Sequence, residues 1–177
     1  SHDGPPAIQG AEDGRMAEAP LLRLVAKASE QGASAIIIGC FDDTALEAAR
    51  ELATCPVIGI GQAAYHLAAV AGDSFSVVTT LEVSVPILEA NIRAYGLAEK
   101  LVKVRASGVP VLALEHDPNV STDQVIAELR KAAQEDQVDA VVLGCGGMVD
   151  INLGSHRPPG TCVIDGVRAA ALFASQF

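Results

Sequence analysis

An internal repeat constrains this chain more than any other feature of its sequence. The segment "GASAIIIGC" (32–40) aligns with "VDAVVLGC" (138–145), and "PVIGIGQAA" (56–64) aligns with "CVIDGVRAA" (162–170). In each copy, an apolar run typical of a buried strand ends in Gly-Cys, and a second strand follows that leads into a helix. The repeat predicts two similar α/β units in which Cys40 and Cys145 are counterparts.

The rest of the sequence alternates between helical and strand-like patterns. We predict helices over 21–32, 44–54, 62–72, 84–95, 121–135 and 166–174, and strands over 33–39, 56–61, 74–80, 109–115, 139–144 and 162–165. This alternation is typical of α/β proteins with parallel sheets flanked by helices. We therefore expect two pseudo-symmetric lobes, with the active site in the cleft between them.

The repeat also predicts how the chain divides into lobes. Residues 1–70, together with the C-terminal region around 162–177, are expected to form the first lobe, and residues 73–161 the second. The second copy opens with the strand at 74–80, whose counterpart in the first copy would precede residue 1. The first lobe is therefore expected to lack its opening strand.

Composition and charge exclude several classes of function. The chain carries 12 Lys and Arg against 22 Asp and Glu, a net charge of −10, which argues against a nucleic-acid partner. No apolar run approaches the roughly 20 residues that span a bilayer, and "SHDGPPAIQG" at the start is unlike a signal peptide. We expect a cytoplasmic protein with no membrane partner.

The cysteines and histidines predict neither disulfides nor a metal site. No Cys-x-x-Cys spacing occurs, and the histidines are scattered singly, unlike zinc ligands. The residues concerned are Cys40, Cys55, Cys145, Cys162, His2, His66, His116 and His156. We therefore expect four reduced thiols and no bound metal.

Cys40 and Cys145 are the strongest catalytic candidates. Cysteines at equivalent strand ends of a duplicated fold are expected to face each other across the cleft, one on each side of a bound molecule. Each precedes a predicted helix start, which would lower the thiol pKa and make a thiolate available near neutral pH. One thiolate could take a proton from a carbon acid while the opposite thiol donates one, inverting the carbon without a cofactor.

Other candidates lie at the same strand ends. Thr79 and Thr80 could hold a substrate carbonyl or anion, although they could also simply end a strand. Gly146 and Gly147 could present backbone N–H groups to an oxyanion, or form a tight turn. Phe41 fits a pocket wall or ordinary core equally well.

Four further residues are given structural interpretations. At least one of Asp42 and Asp43 is expected to cap the helix that follows them. Cys55 and Cys162 adjoin predicted strands without polar neighbours, and we interpret them as core thiols.

Six segments resemble, in order, the hydantoin racemase members of the aspartate/glutamate racemase superfamily. They are "GCFDD", "PVIGIGQAA", "FSVVTT", "VPVLALE", "VLGCGGM" and "VIDGVRAA". The resemblance implies a cofactor-independent racemase with two facing lobes, whose catalytic cysteines are Cys40 and Cys145. Members of this family open with a strand ending in an Asn-Pro-Asn type motif that this sequence does not contain, which agrees with the gap in the repeat.

The function predicted is racemisation of 5-substituted hydantoins, with a small-molecule partner, no cofactor and a homo-oligomeric state. Allantoin racemase is the first alternative, because allantoin racemases share most of these segments. An arylmalonate-type decarboxylase is a weaker alternative, since such enzymes keep only one of the two cysteines. A non-catalytic small-molecule binder with incidental thiols is the alternative from another class.

Overall fold

The computed structural model describes residues 3–177. Its strands are β1 (Ile36–Ile38), β2 (Val57–Gly59), β3 (Phe75–Thr79), β4 (Leu101–Ala106), β5 (Ala140–Leu143) and β6 (Cys162–Asp165). Its α-helices are α1 (Ala11–Glu30), α2 (Leu46–Leu52), α3 (Ile60–Ala71), α4 (Val85–Ala94), α5 (Ala113–His116), α6 (Pro118–Glu135) and α7 (Gly166–Ala174). Within the described residues, no helix is both long and apolar enough to cross a membrane.

The strands form two parallel sheets flanked by helices. β1 pairs with β2, and the other four strands form a sheet in the order β4-β3-β5-β6. Every neighbouring pair is parallel. The central strands β3 and β5 are buried along their whole length, as expected for a sheet covered on both faces. The predicted α/β class is confirmed.

The internal repeat is preserved in the strand register. Ile36 of β1 pairs with Val57 of β2. Their repeat counterparts, Val141 of β5 and Val163 of β6, also pair with each other. The two strand pairs are therefore built with the same register, and the Gly-Cys that follows β1 occupies the same place as the one that follows β5.

Helices α3 and α7, which follow β2 and β6, pack against each other. They meet at their first residues, Ile60 and its counterpart Gly166. A Cβ atom at Gly166 would lie 2.7 Å from the Ile60 carbonyl oxygen and 2.7 Å from a ring carbon of Phe41, so only glycine fits. The side chains of Ile60, Tyr65 and Phe75 are completely buried in the core cluster beneath this contact.

The prediction of a strand at 109–115 is wrong. These residues form a turn and the short helix α5, whereas the strand that pairs with β3 is β4, at 101–106. Pro110 lacks the N–H that a strand in the sheet would donate. The apolar alternation of "VPVLALE" favoured a strand despite this missing donor. The charged residues Lys103 and Arg105 made the sequence of β4 look unlike a buried strand.

Arg105 explains how a charged residue is accommodated in β4. Its side chain is 8% exposed and forms ion pairs with three carboxylates. Glu128 and Glu135 belong to α6, and Asp136 directly follows this helix. Asp136 also accepts a hydrogen bond from the Ser76 hydroxyl of β3 at 2.7 Å. A buried charge is tolerated because it is paired, which sequence periodicity alone does not reveal.

The last segment of the chain joins the two sheets. The predicted division placed residues 162–177 in the first lobe. β6 instead pairs with β5 in the four-stranded sheet, whereas α7 packs against α3 and contacts β1 and β2. Within residues 3–177, β1 pairs with β2 alone. The lobe boundaries and the expected opening strand stay predictions.

Candidate active site

The predicted site residues lie together in one cavity of about 190 Å³ at the carboxyl ends of β1, β3 and β5. The sequence placed each of them in a segment that follows or ends one of these strands. The cavity is lined by all seven, which are Cys40, Phe41, Thr79, Thr80, Cys145, Gly146 and Gly147.

Glycines bring the two repeat-related strand ends into contact. A Cβ atom at Gly146 would lie 3.0 Å from the carbonyl oxygen of Gly39, the residue before Cys40. A Cβ atom at Gly144 would lie 3.0 Å from the Val78 carbonyl oxygen. Because no side chain intervenes, the backbones that carry the two cysteines approach each other directly across the cavity.

Backbone N–H groups act on both sulfur atoms. Those of Asp42 and Thr44 lower the pKa of the Cys40 thiol, and that of Gly147 lowers the pKa of the Cys145 thiol. Cys40 also accepts a hydrogen bond from the Thr44 hydroxyl, at 3.3 Å. These donors favour the thiolate over the thiol. Ala45 is the N-cap residue of α2, so the Thr44 hydroxyl does not cap this helix and donates to the sulfur instead.

Burial outweighs these donors in the free protein. It raises the pKa of the Cys40 thiol, and it raises that of Cys145 to about 11. The expected lowering by helix N-termini is not found. The helix α2 begins only at Leu46, and a single 3₁₀ turn follows Cys145. Both thiols are therefore protonated at neutral pH when the cavity holds no substrate.

Asp43 caps a helix, but not the one expected. Its carboxylate accepts hydrogen bonds from the backbone N–H groups of Gly61 (3.0 Å) and Gln62 (2.7 Å) in the first turn of α3. The Tyr95 hydroxyl donates a third, at 2.8 Å. The side chain reaches across to α3 because Asp43 lies in the left-handed region, with a φ of 50°.

A family model described as Asp/Glu/Hydantoin racemase matches residues 1–174. The chain belongs to this family. A curated relative, a hydantoin racemase from Rhizobium meliloti, is 44% identical over 172 residues, which cover 97% of this chain and 71% of the relative. The resemblance noted in the sequence is thus confirmed.

Solved structures of family members agree with the fold. An allantoin racemase from Klebsiella pneumoniae superposes with a TM-score of 0.93 at 38% identity, over 98% of this chain and 71% of the other. An allantoin racemase from Pseudomonas fluorescens superposes with a TM-score of 0.90 at 33% identity, over 98% and 73%. Together with the curated relative, these homologues support a racemase function, that is, an isomerase.

Phe41 is both a core residue and a residue of the cavity wall. It is 5% exposed, belongs to the main core cluster and packs edge-to-face on Tyr65, with ring centroids 5.6 Å apart. It also lines the cavity. The Thr79 hydroxyl donates to the Gly144 carbonyl at 3.1 Å, which ties β3 to the segment before Cys145.

Cys55 and Cys162 differ from the prediction of core thiols. Cys55 is half-buried, and Cys162 is exposed at the edge of the four-stranded sheet. All four cysteines are free thiols. Within residues 3–177, His, Cys, Asp and Glu side chains form no cluster of three or more that could hold a metal ion.

Several cavity residues were missed by the sequence analysis. Ile8, Ser84 and Val111 line the cavity together with the predicted residues. Ile8 is held there because the side-chain oxygen of Gln9 accepts a hydrogen bond from the Val111 N–H, at 3.0 Å. These residues are about a hundred positions apart, so no local pattern could have shown that they meet. Asp42 was weighed only as a helix cap, yet it also lines the cavity.

Proposed function

We propose that this protein racemises 5-substituted hydantoins without a cofactor, using Cys40 and Cys145 as paired acid and base. The observation that supports this most directly is that the two cysteines, which are repeat counterparts, line one cavity and are carried on backbones in contact. The family of the chain supplies the reaction class.

The reaction inverts the ring carbon between a carbonyl group and a nitrogen. The thiolate of one cysteine takes the proton from this carbon, and the electron pair is delocalised onto the adjacent carbonyl as an enolate. The opposite thiol then gives its proton to the other face, and the two cysteines have exchanged protonation states. No atom is gained or lost, and the enzyme is ready for the opposite enantiomer.

The neighbours of the two sulfurs are suited to this exchange. The donors from Asp42, Thr44 and Gly147 stabilise whichever sulfur is ionised. Thr80 and Gly146 lie at the cavity surface, where a hydroxyl or backbone N–H can hold the enolate oxygen. One such donor contributes about 3 kcal/mol to transition-state stabilisation.

Allantoin is the second candidate substrate. The curated relative is a hydantoin racemase at 44% identity, whereas the superposed structures are allantoin racemases at 38% and 33%. Allantoin is itself a hydantoin ring with a ureido group at the stereocentre, so the same two-thiol chemistry serves both. The two candidate substrate classes therefore differ only in the substituent at the stereocentre, which the cavity must accommodate.

The test follows optical rotation of single enantiomers of allantoin and of alkyl and aryl hydantoins. The proposal predicts racemisation of at least one hydantoin by the parent protein, and collapse of the rate in Cys40→Ser and Cys145→Ser. Cys162→Ser makes the same chemical change outside the cavity and should keep the parental rate. A protein that binds these compounds without turnover would be the non-catalytic binder, and release of CO₂ from arylmalonates would indicate the decarboxylase.

The homo-oligomeric state and cytoplasmic location remain predictions. Leu172, Phe173 and Phe177 at the C-terminal end are exposed apolar residues of the kind that subunit contacts cover. Sedimentation of the purified protein measures the oligomeric state directly.

A further inference from the structure

Among the described residues 3–177, Asp42 is the one acidic residue that lines the cavity, and the two-thiol mechanism gives its side chain no role. It lies two residues after Cys40. Its backbone carbonyl is held by the Asn91 side chain, which donates a hydrogen bond at 2.8 Å. Its Oδ2 atom is buried and has no hydrogen-bond partner within residues 3–177. A buried polar atom without a partner is costly, and a catalytic role or a bound water or ion is among the explanations for one in a native protein.

The neighbouring Asp43 shows that this is not a general property of the turn. Asp43 accepts hydrogen bonds from Gly61, Gln62 and Tyr95, so its carboxylate is fully occupied by the protein. Within residues 3–177, Asp42 Oδ2 has no donor. Of the two adjacent carboxyl groups, one is therefore occupied by donors of the fold, and the other belongs to a residue of the cavity wall and keeps an unpartnered oxygen.

The surroundings of Asp42 disfavour a negative charge. Burial, followed by the charge of Asp43, raises the pKa of Asp42 to about 6, and no cation contributes in the opposite direction. The acidic groups around it are Cys40, Cys145, Asp43 and Tyr65, and an ionised Asp42 raises the pKa of both thiols and of Tyr65. Arg50 influences Asp43 but is not among the groups that act on Asp42.

An ionised Asp42 would oppose two steps of the reaction. It would disfavour the thiolate that removes the proton, and it would repel the enolate that forms. A bound substrate displaces water from the cavity, and the thiolate adds a further negative charge nearby. Both changes favour the neutral carboxylic acid, which can donate a hydrogen bond instead of repelling charge.

We propose that Asp42 is a third catalytic residue, which stays protonated in the substrate complex and donates a hydrogen bond to the oxygen that becomes the enolate. Its proton remains on the carboxyl group throughout, so no additional co-reactant is needed. This inference rests on the proposed racemase function, because the enolate exists only in that reaction. Both hydantoin and allantoin carry the carbonyl concerned.

The experiment compares Asp42→Asn and Asp42→Ala with the parent protein. Asparagine keeps an N–H donor of similar shape but does not titrate, whereas alanine has no donor. The pH dependence of kcat is measured for racemisation of one hydantoin from pH 5 to 10. Asp123→Asn, the same change at an exposed residue of α6, is the control.

For the parent and for Asp123→Asn we expect kcat to rise with pH as one thiolate forms, to level off once Asp42 loses its proton, and to fall at higher pH as the thiols ionise further. Asp42→Asn should keep its dependence on the two thiols, but its rise should continue past the pH at which the parent levels off. Asp42→Ala should lose about a hundredfold in kcat with little change in KM, since the bond strengthens in the transition state.

Three results would overturn the inference alone: parental kcat in Asp42→Ala, a kcat profile in Asp42→Asn that levels off at the same pH as the parent's, or equal loss of kcat in both variants. The last would mean that an ionised carboxylate is required. A parent protein that racemises neither hydantoins nor allantoin would overturn the proposed function as well.

Discussion

Cys40 and Cys145 are coupled as well as buried. Burial raises the pKa of both, and the charge of Cys40 raises the pKa of Cys145 further. Removing the proton from one thiol therefore makes removal of the second harder, and the pair favours one thiolate and one thiol over two thiolates. Proton transfer on two faces of a carbon requires one base and one acid. The coupling between the two sulfurs favours this combination of one thiolate and one thiol without any other residue.

At the scale of single residues, the first prediction concerns thiol reactivity. Iodoacetamide at pH 7 should modify exposed Cys162 before Cys40 and Cys145, because only thiolates react and burial disfavours them at the two site cysteines. Labelling of Cys145 should rise about tenfold per pH unit up to about pH 11. Mass spectrometry of the separate peptides measures each rate. Faster labelling of Cys40 or Cys145 than of Cys162 at pH 7 would contradict it.

A second prediction concerns the stability cost of Asp42. Its pKa is about 6 in the folded protein against an ordinary value of 3.8 for an aspartate, so the folded state holds this proton more tightly. The free energy of unfolding should therefore fall as pH rises through this range. Asp42→Asn removes the titration and should be more stable than the parent by about 1–3 kcal/mol at neutral pH.

Urea unfolding near neutral pH and at about pH 4.5 measures this effect. The advantage of Asp42→Asn should shrink by more than half at the lower pH, where the parent has regained most of its proton. A variant less stable than the parent near neutral pH would show that the folded protein pairs the Asp42 carboxylate. Gain of stability with loss of the catalytic carboxyl group is the usual trade-off at active sites.

At the scale of elements, α3 and α7 are repeat counterparts with different N-terminal caps. Asp43 caps α3 from a distant turn and holds two backbone N–H groups and the Tyr95 hydroxyl. Asp165 caps α7 locally, through one hydrogen bond to the Arg168 N–H at 2.9 Å. The cap of α3 therefore also fixes the turn that carries Cys40, whereas the cap of α7 fixes only its own helix.

The third prediction compares Asp43→Ala with Asp165→Ala. Asp43→Ala leaves three donors without their acceptor and should lower the free energy of unfolding by about 2 kcal/mol or more. Asp165→Ala removes one cap bond and should cost about 1 kcal/mol. Thermal and urea unfolding of both variants check the order. An equal or larger loss in Asp165→Ala would mean that the long-range cap adds nothing.

Sequence patterns predict the elements that are determined by residues close to one another in the chain. They miss elements that depend on distant residues. The helix at 166–174 matches α7 residue for residue, because its apolar pattern and the preceding Asp165 lie within a few positions. The strand β4 was missed because its charged Arg105 is neutralised by Asp136, just after α6 and about 30 positions later, and by two residues of α6. Local periodicity contains no information about such a partner.

The candidate site shows the same division. Cys40 and Cys145 were placed together by the repeat, which is a long-range signal within one sequence. Their pKa direction was predicted wrongly, because burial depends on the packed structure and outweighs the helix-terminus effect. The place of Ile8 in the cavity wall and the unpartnered oxygen of Asp42 depend on how distant segments pack, which no local pattern contains.

At the scale of the whole molecule, duplication accounts for the arrangement of the site. β1 with β2 and β5 with β6 share one register, and α3 packs against its counterpart α7. Each copy contributes a Gly-Cys after its first strand and an N–H donor two residues later. Two copies that face each other present the same chemical group to opposite sides of whatever lies between them.

The last prediction tests this symmetry through the stereochemistry of exchange. With one thiolate left, Cys40→Ser and Cys145→Ser should each exchange the ring proton of only one enantiomer for deuterium, with retention of configuration. The preferred enantiomer should be opposite in the two variants, because the remaining cysteine serves the opposite face. NMR in D₂O, starting from each pure enantiomer, measures the exchange, and Cys162→Ser should exchange both enantiomers as the parent does.

Two outcomes would contradict this prediction. The same preferred enantiomer in both variants would place the two cysteines on one side of the substrate. Racemisation by either variant at the parental rate would remove the substituted cysteine from the mechanism. Opposite preferences require that the two copies of the repeat act on one carbon from two sides.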